Sequence, residues 1–231
     1  MEQLLEKIYT DPENPAGFSG VEHLYRAAHE ANPKITKAFV KKWLSSKDSY
    51  TLNKPARRKF ERSRVISQGL YIQADIDLLE VGNLAASNDK IRYLLGAIDI
   101  LSRKAYVQPL KSKTGKDVAQ GLEKLWGTDV KPRLARSDRG KEFLNKEVQE
   151  FFKRHKIHHF VTSNEVKANY IERLWRTLRG KLHRLITETQ NERYIDKLQA
   201  LVHSYNNKIH SSIGISPADV TSANERLIWY M

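Results

Sequence analysis

A chain of 231 residues is long enough for one sizeable core and a small extra module. Its 40 Lys and Arg against 27 Asp and Glu leave a net charge of +13, which at this size points to a polyanionic partner, nucleic acid first. The absence of cysteine rules out disulfides, thiol nucleophiles and cysteine-based zinc sites and fits an intracellular protein; no apolar run nears the ~18 residues of a membrane span, and no signal peptide opens the chain.

Residues 1–53 predict a small helical module. Val21, Leu24, Tyr25 and Ala28 follow Ser19-Gly20 at helical spacing, Asn32-Pro33 breaks the pattern, and Ile35, Phe39, Val40, Trp43 and Leu44 resume it. Two short helices across a tight turn suit a helix-turn-helix, with Lys37, Lys41 and Lys42 facing a DNA groove; a solvated face on a small domain is the other reading. Residues 54–69 predict a basic linker. Its run 54–64 holds six basic residues, Arg57, Arg58 and Lys59 among them, against one acid. Pro55 favours an extended path there. Such a segment can track a phosphate backbone or act as a nuclear localisation signal.

The pattern changes at about residue 70. Strands are predicted at 71–79, 92–100 and 104–110, with Ser102-Arg103 as a hairpin turn. A helix at 115–126, a strand at 133–137, a helix at 145–155 and a strand at 157–161 follow. Two long helices are predicted at 168–188 and 192–209. Three consecutive strands and then alternation imply an α/β domain with a mixed five-stranded sheet flanked by helices, the element order of the ribonuclease H-like fold.

Three acids fall on rigid elements: Asp75 in the first strand, Asp138 at the end of the fourth, and Glu172 near the start of a long basic helix. Separated carboxylates brought together in a basic protein are what a divalent-metal phosphoryl-transfer site requires. Asp77 is two positions from Asp75 and shares its face of the strand, so spacing alone does not separate them. Asp99 suits a structural hydrogen bond. On the long helix, Glu172, Arg176, Arg179 and His183 form a stripe apart from the apolar face of Ile171, Leu174, Leu178, Leu182 and Leu185. Arg176 and Arg179 can follow a phosphodiester held at the metals, and Lys141 in the turn after Asp138 can face DNA. His155, His158 and His159 span a helix end and a strand start, which sets them on diverging paths.

Residues 70–221 resemble the catalytic core of retroviral and retrotransposon integrases, and most of all the integrases of large self-synthesising DNA transposons of the Maverick or Polinton type. The resemblance is carried by Ile72-Gln73-Ala74-Asp75, Leu95-Gly96-Ala97-Ile98-Asp99, Pro109-Leu110-Lys111-Ser112-Lys113-Thr114-Gly115-Lys116, Ser137-Asp138-Arg139-Gly140-Lys141-Glu142-Phe143, Ile171-Glu172-Arg173-Leu174-Trp175-Arg176-Thr177-Leu178 and Ser204-Tyr205-Asn206-Asn207 with His210-Ser211-Ser212-Ile213-Gly214-Ile215-Ser216-Pro217. It implies a catalytic and metal-binding set of Asp75, Asp138 and Glu172, holding Mg²⁺ or Mn²⁺. The 33 residues between Asp138 and Glu172 are close to the spacing usual in that superfamily. It also implies a DNA strand transferase that works as a homo-oligomer in the nucleus, without membrane association. A non-catalytic DNA-binding relative and another ribonuclease H-like nuclease remain open as alternatives. Two departures stand out. His23 and His29 have no cysteine partners to complete an integrase zinc site. Residues 222–231 form only a short tail, where many integrases continue into a further domain.

Overall fold

The computed structural model describes residues 1–53, 67–127, 130–161 and 169–230. The basic linker residues Arg57, Arg58 and Lys59 therefore lie outside the described residues. The chain divides into two compact units, one of residues 1–60 and 176–208, the other of residues 61–175 and 209–231. Residues 176–208 group with residues 1–60 in this division.

The second unit is built on a five-stranded sheet in the order β3-β2-β1-β4-β5. The strands are β1 (Gln73–Glu80), β2 (Tyr93–Asp99), β3 (Ala105–Leu110), β4 (Leu134–Ser137) and β5 (His158–Val161). β1–β2 and β2–β3 pair antiparallel, whereas β1–β4 and β4–β5 are parallel. The predicted strands and the mixed sheet are thus present. Three helices accompany them: α5 (Gly115–Trp126), α6 (Lys141–Leu144) and α7 (Lys146–Arg154). The predicted helix at 145–155 begins at Lys146 because the Asn145 side chain accepts a hydrogen bond from the Val148 amide and caps it.

Side chains alternate across a strand, and the alternation sorts this sheet into two faces. Ala74, Ile76, Leu95, Ala97 and Ala135 bury one face against Val118, Leu122 and Trp126 of α5 and Val148, Phe151 and Phe152 of α7. Asp75, Asp77, Gly96 and Arg136 point the other way. The β2–β3 hairpin turns where expected. Asp99 is buried there and accepts from the Ser102 amide (2.8 Å), the Ser102 hydroxyl (2.7 Å) and the Tyr71 amide (3.0 Å). It is a structural group, as the sequence suggested, and Arg103 takes the left-handed conformation, φ 63°, that closes the turn. A small apolar cluster of Leu101, Ile213, Val220 and Ile228 joins the hairpin to α10 (Glu225–Tyr230).

The first unit is helical. It contains α1 (Glu2–Thr10), α2 (Val21–Ala31), α3 (Lys37–Ser45) and α4 (Asp48–Thr51). The long α8 (Asn169–Thr189) supplies its residues from Arg176 onward, and α9 (Leu198–Asn206) completes the unit. The α2 and α3 pair forms as predicted, with the Thr36 side chain capping α3 through the Phe39 amide. Tyr9 anchors the packing, with its ring centroid 5.5 Å from both Phe18 and Trp43. The loop before α2 is held by its main chain. Lys181 Nζ donates to Gly17 O (2.8 Å), Arg184 Nη1 to Phe18 O (2.6 Å) and Ser204 Oγ to Asn14 O (2.7 Å).

Candidate active site

The site lies on the sheet face that Asp75, Asp77 and Arg136 share. Asp75 and Asp77 have the same strand parity, and the register separates them. In the parallel β1–β4 pair, Asp75 stands opposite Arg136. Asp77 lies two residues beyond that pair on β1, and Asp138 lies two beyond Arg136, just past the end of β4.

Asp75 is fully buried. Its two oxygens accept from Arg136 Nε (2.7 Å) and Nη2 (2.9 Å) in a bidentate pair, and it also accepts from the backbone amides of Tyr170 and Ile171 in the first turn of α8. Burial pushes its carboxyl up, against the pull of Arg136 and the two amides. A carboxylate so engaged has little left for a cation. Asp75 thereby ties β1 to β4 and to the first turn of α8.

Asp77 is engaged differently. Trp175 Nε1 donates to its Oδ2 at 3.0 Å. Burial is the largest influence on its carboxyl, and the charges of Asp138 and Glu142 add to it; together they raise the group to about 6. Gly96 faces Asp77 across the β1–β2 register, and a β-carbon there would overlap the Trp175 ring. The glycine thus lets the indole come down onto the sheet and reach Asp77.

Asp138 is exposed, immediately beyond β4. Its Oδ1 accepts from the Gly140 amide (3.1 Å), so the turn that the glycine permits also orients the acid. A chain of bonds holds its main chain. Gln149 Nε2 donates to His159 Nδ1 (3.0 Å), His159 Nε2 donates to Ser137 Oγ (2.9 Å), and Ser137 Oγ donates to Asp138 O (2.7 Å). The amide donor on Nδ1 requires a neutral ring protonated at Nε2. Burial lowers His159 to about 4, so the ring stays neutral at ordinary pH.

Glu172 is exposed in the first turn of α8. Lys141 is exposed at the start of α6, and Arg176, Arg179 and His183 are exposed on α8. The three histidines have separate engagements: His155 with Glu123 (3.1 Å), His159 with Ser137 and Gln149, and His158 beside the Phe160 ring. His29 Nδ1 meets Ile35 O at 2.9 Å and belongs to the α2–α3 turn. Among the described residues, no three acids or histidines form a group able to hold one metal ion. The structure therefore brings Asp77 and Asp138 together and leaves Asp75 in a salt bridge. Arg136, Trp175 and Glu142 are neighbours of the site that the sequence reading missed. Only pairing β1 with β4 puts Arg136 beside Asp75, and a single sequence does not print that register.

The comparisons with known proteins agree on the class of fold. Residues 74–165 match the family described as Integrase core domain. The catalytic core domain of HTLV-2 integrase, solved in complex with magnesium in a trimeric form, superposes with a TM-score of 0.55 at 17% identity, over 65% of this chain and 96% of that one. The simian T-cell lymphotropic virus intasome, solved with PP2A regulatory subunit B56 gamma, gives 0.61 at 14% identity, over 84% of this chain and 69% of that one. The sheet is therefore of the ribonuclease H-like, integrase type. An uncharacterized transposon-derived protein of Caenorhabditis elegans is 40% identical over 134 residues, which are 58% of this chain and 47% of that protein. The Pol polyprotein of transposon 297 in Drosophila melanogaster is 22% identical over 130 residues, 56% of this chain and 12% of the polyprotein. The match thus spans less than half the length of either relative.

Proposed function

We propose that this chain is a metal-dependent DNA strand transferase of the integrase type, from a transposable element of the Maverick or Polinton kind, with Asp77, Asp138 and Glu172 as its acid set. The observation that carries the reading is the Asp77–Asp138 pair: one carboxylate on β1 and one just beyond the parallel strand β4, each two residues past the Asp75–Arg136 register pair, with the charge of Asp138 raising Asp77. Such a pair suits a divalent cation, which relieves the repulsion and needs few protein ligands. Mg²⁺ or Mn²⁺ is the cation proposed; Asp77 and Asp138 would hold it, and Glu172, which does not group with them in this structure, would join on binding. Bound there, it would supply Lewis-acid stabilisation of charge on phosphoryl oxygens.

The chain's own residues set the geometry. Trp175 and the Leu78 amide hold Asp77 in place. The His159–Ser137 relay and the Gly140 amide fix Asp138. Asp75, through the amides of Tyr170 and Ile171, fixes the helix turn that carries Glu172. Arg176, Arg179 and Lys141 offer exposed cations to a phosphate backbone, and the basic run 54–64 adds to them. In the reaction, a 3′-hydroxyl oxygen forms a bond to a target phosphorus, the bond from that phosphorus to its own 3′-oxygen breaks, and the attacking hydroxyl loses its proton. Because Asp77 keeps a proton up to about 6, cation binding weakens as pH falls through that value. The protein acts as an oligomer in the nucleus on this reading.

The test is strand transfer on a labelled duplex with Mg²⁺ or Mn²⁺, beside duplex binding over a salt series. Asp77→Asn, Asp138→Asn and Glu172→Gln abolish transfer and retain binding, which weakens steeply with salt. Transfer at wild-type level by any of the three removes that residue from the set. Binding by the wild type with no transfer under any metal leaves a non-catalytic DNA-binding protein.

A further inference from the structure

Three attachments hold the first turns of α8 on the sheet. The amides of Tyr170 and Ile171 donate to Asp75. Trp175 and Ile171 lie over Gly96, where a β-carbon would overlap the indole and crowd the isoleucine. The third attachment is an aromatic ring. Tyr170 is 7% exposed, and the Arg103 guanidinium lies over it, 3.9 Å from the ring centroid. Arg173, one turn along the helix, stands 5.5 Å from the same centroid. A guanidinium this close to a ring gains dispersion and the pull of the ring quadrupole, more strongly where water is excluded.

Arg103 is a fixed point for that ring. It sits in the β2–β3 turn, is buried, and its Nη1 donates to Ile100 O. Its backbone, at φ 63°, takes a conformation that glycine adopts at least cost. Glycine would close the same turn, so what sets arginine apart there is its side chain, which reaches Ile100 O and the Tyr170 ring. The direction of the ring matters for Glu172. Ile171 and Trp175 face the sheet at Gly96. At ~100° per residue, Tyr170 falls to one side of that direction and Glu172 to the other. Contacts beneath the helix set its height and its start. A ring held at its side resists rotation about the helix axis, and any roll that moves Tyr170 swings Glu172 through the same angle.

We infer that Arg103 is a positioning residue for Glu172, acting through the Tyr170 ring: by stopping the roll of α8 it sets the direction from which the Glu172 carboxylate reaches the acid set. The inference rests on the reading of Glu172 as the third metal-binding acid, and it names a residue of the β2–β3 turn on which that role depends. A metal ligand works only when held within about 10–20° of its productive direction. Outer residues that orient a ligand carry about 10- to 100-fold of metal affinity for that reason.

The experiment uses the full chain and reads Mn²⁺ binding by electron paramagnetic resonance of the free ion, so it does not depend on strand transfer. Arg103→Met keeps the side-chain stem and removes the guanidinium. It should weaken Mn²⁺ binding on the order of 10-fold. Combined with Glu172→Gln, which itself weakens binding, Arg103→Met should add no further loss. A general loosening of the fold would instead weaken both backgrounds alike. Tyr170→Leu should reproduce Arg103→Met, and Tyr170→Phe, which keeps the ring face, should bind Mn²⁺ as the wild type does. Should Arg103→Met fail to melt cooperatively, the Tyr170→Leu and Tyr170→Phe pair carries the same test. Unchanged affinity in Arg103→Met, or an equal loss with and without Glu172, overturns the inference while leaving Glu172 in the acid set. A wild type that binds no Mn²⁺, or a Glu172→Gln variant that binds it as well as wild type, overturns the role of Glu172 and this inference with it.

Discussion

Replacing Asp75 by alanine tests the proposed division of roles, with Asp75 structural and Asp77 catalytic. The change leaves Arg136 buried, 3% exposed, with no carboxylate opposite it. Stranding one member of a buried pair costs about 3–5 kcal/mol. At about 2–4 °C per kcal/mol for a chain of this size, Tm should fall by roughly 6–20 °C. Asp77→Asn should behave in the opposite sense. The folded carboxyl titrates at about 6 against an ordinary 3.8, so the folded state binds the extra proton between those values. The contribution of Asp77 to stability is therefore lost as pH rises from about 4 to 6 and is absent at neutral pH. That penalty is about 3 kcal/mol. The amide still accepts from Trp175, so Asp77→Asn should match or exceed the wild-type Tm at pH 7, with less decline between pH 4 and 6. The assays are thermal melts at several pH values and strand transfer well below the melting point. Asp77→Asn should be inactive and stable, Asp75→Ala unstable. An Asp75→Ala variant that melts within about 2 °C of wild type, or an Asp77→Asn variant with full activity, would refute the division of roles.

Three more perturbations test the surroundings. Gly96→Ala should push Trp175 and the first turn of α8 off the sheet, costing about 1–3 kcal/mol and most of the transfer activity; an unchanged melt and rate would show that the indole does not need this approach. Lys181 titrates at about 7 when folded and near 10.5 when unfolded, so the unfolded state holds more protons between those values. Wild-type stability should therefore rise by about 2–3 kcal/mol from pH 7 to 9, and Lys181→Met, compared by urea melts, should lose that rise. His159 titrates at about 4 against 6.5, so its contribution is lost as pH falls through that interval; after allowance for its part-exposed ring, His159→Gln should remove about 1–2 kcal/mol of the acid sensitivity.

Much of the sheet was legible from local pattern. The hydrophobic runs of β1 to β3 announced their strands, Asp99 its turn, and the apolar stripe of α8 its buried side. What separates Asp75 from Asp77 was not legible. Asp75 and Asp77 share a face, and only long-range pairing tells them apart: Arg136 arrives beside Asp75 from 61 residues away in sequence, and the charge of Asp138 acts on Asp77. Local propensity carries no information on such pairings. The unit boundary was hidden for a similar reason. Residues 176–208 read as the tail of the core because the chain continues into them without a break, yet Lys181, Arg184 and Ser204 reach for carbonyls of residues 14–18.

That last attachment has a consequence for how the chain can change. Lys181, Arg184 and Ser204 grip the loop by peptide oxygens, which every residue type supplies. The grip is therefore blind to the identity of Asn14 and Phe18 as acceptors. Only the path of the loop is specified, by Gly17, where a β-carbon would strike the Asp11 carbonyl, and by Phe18 at φ 48°. A joint of this kind tolerates drift on the loop side and very little on the helix side. Its two halves can diverge in sequence at unequal rates while the joint itself persists.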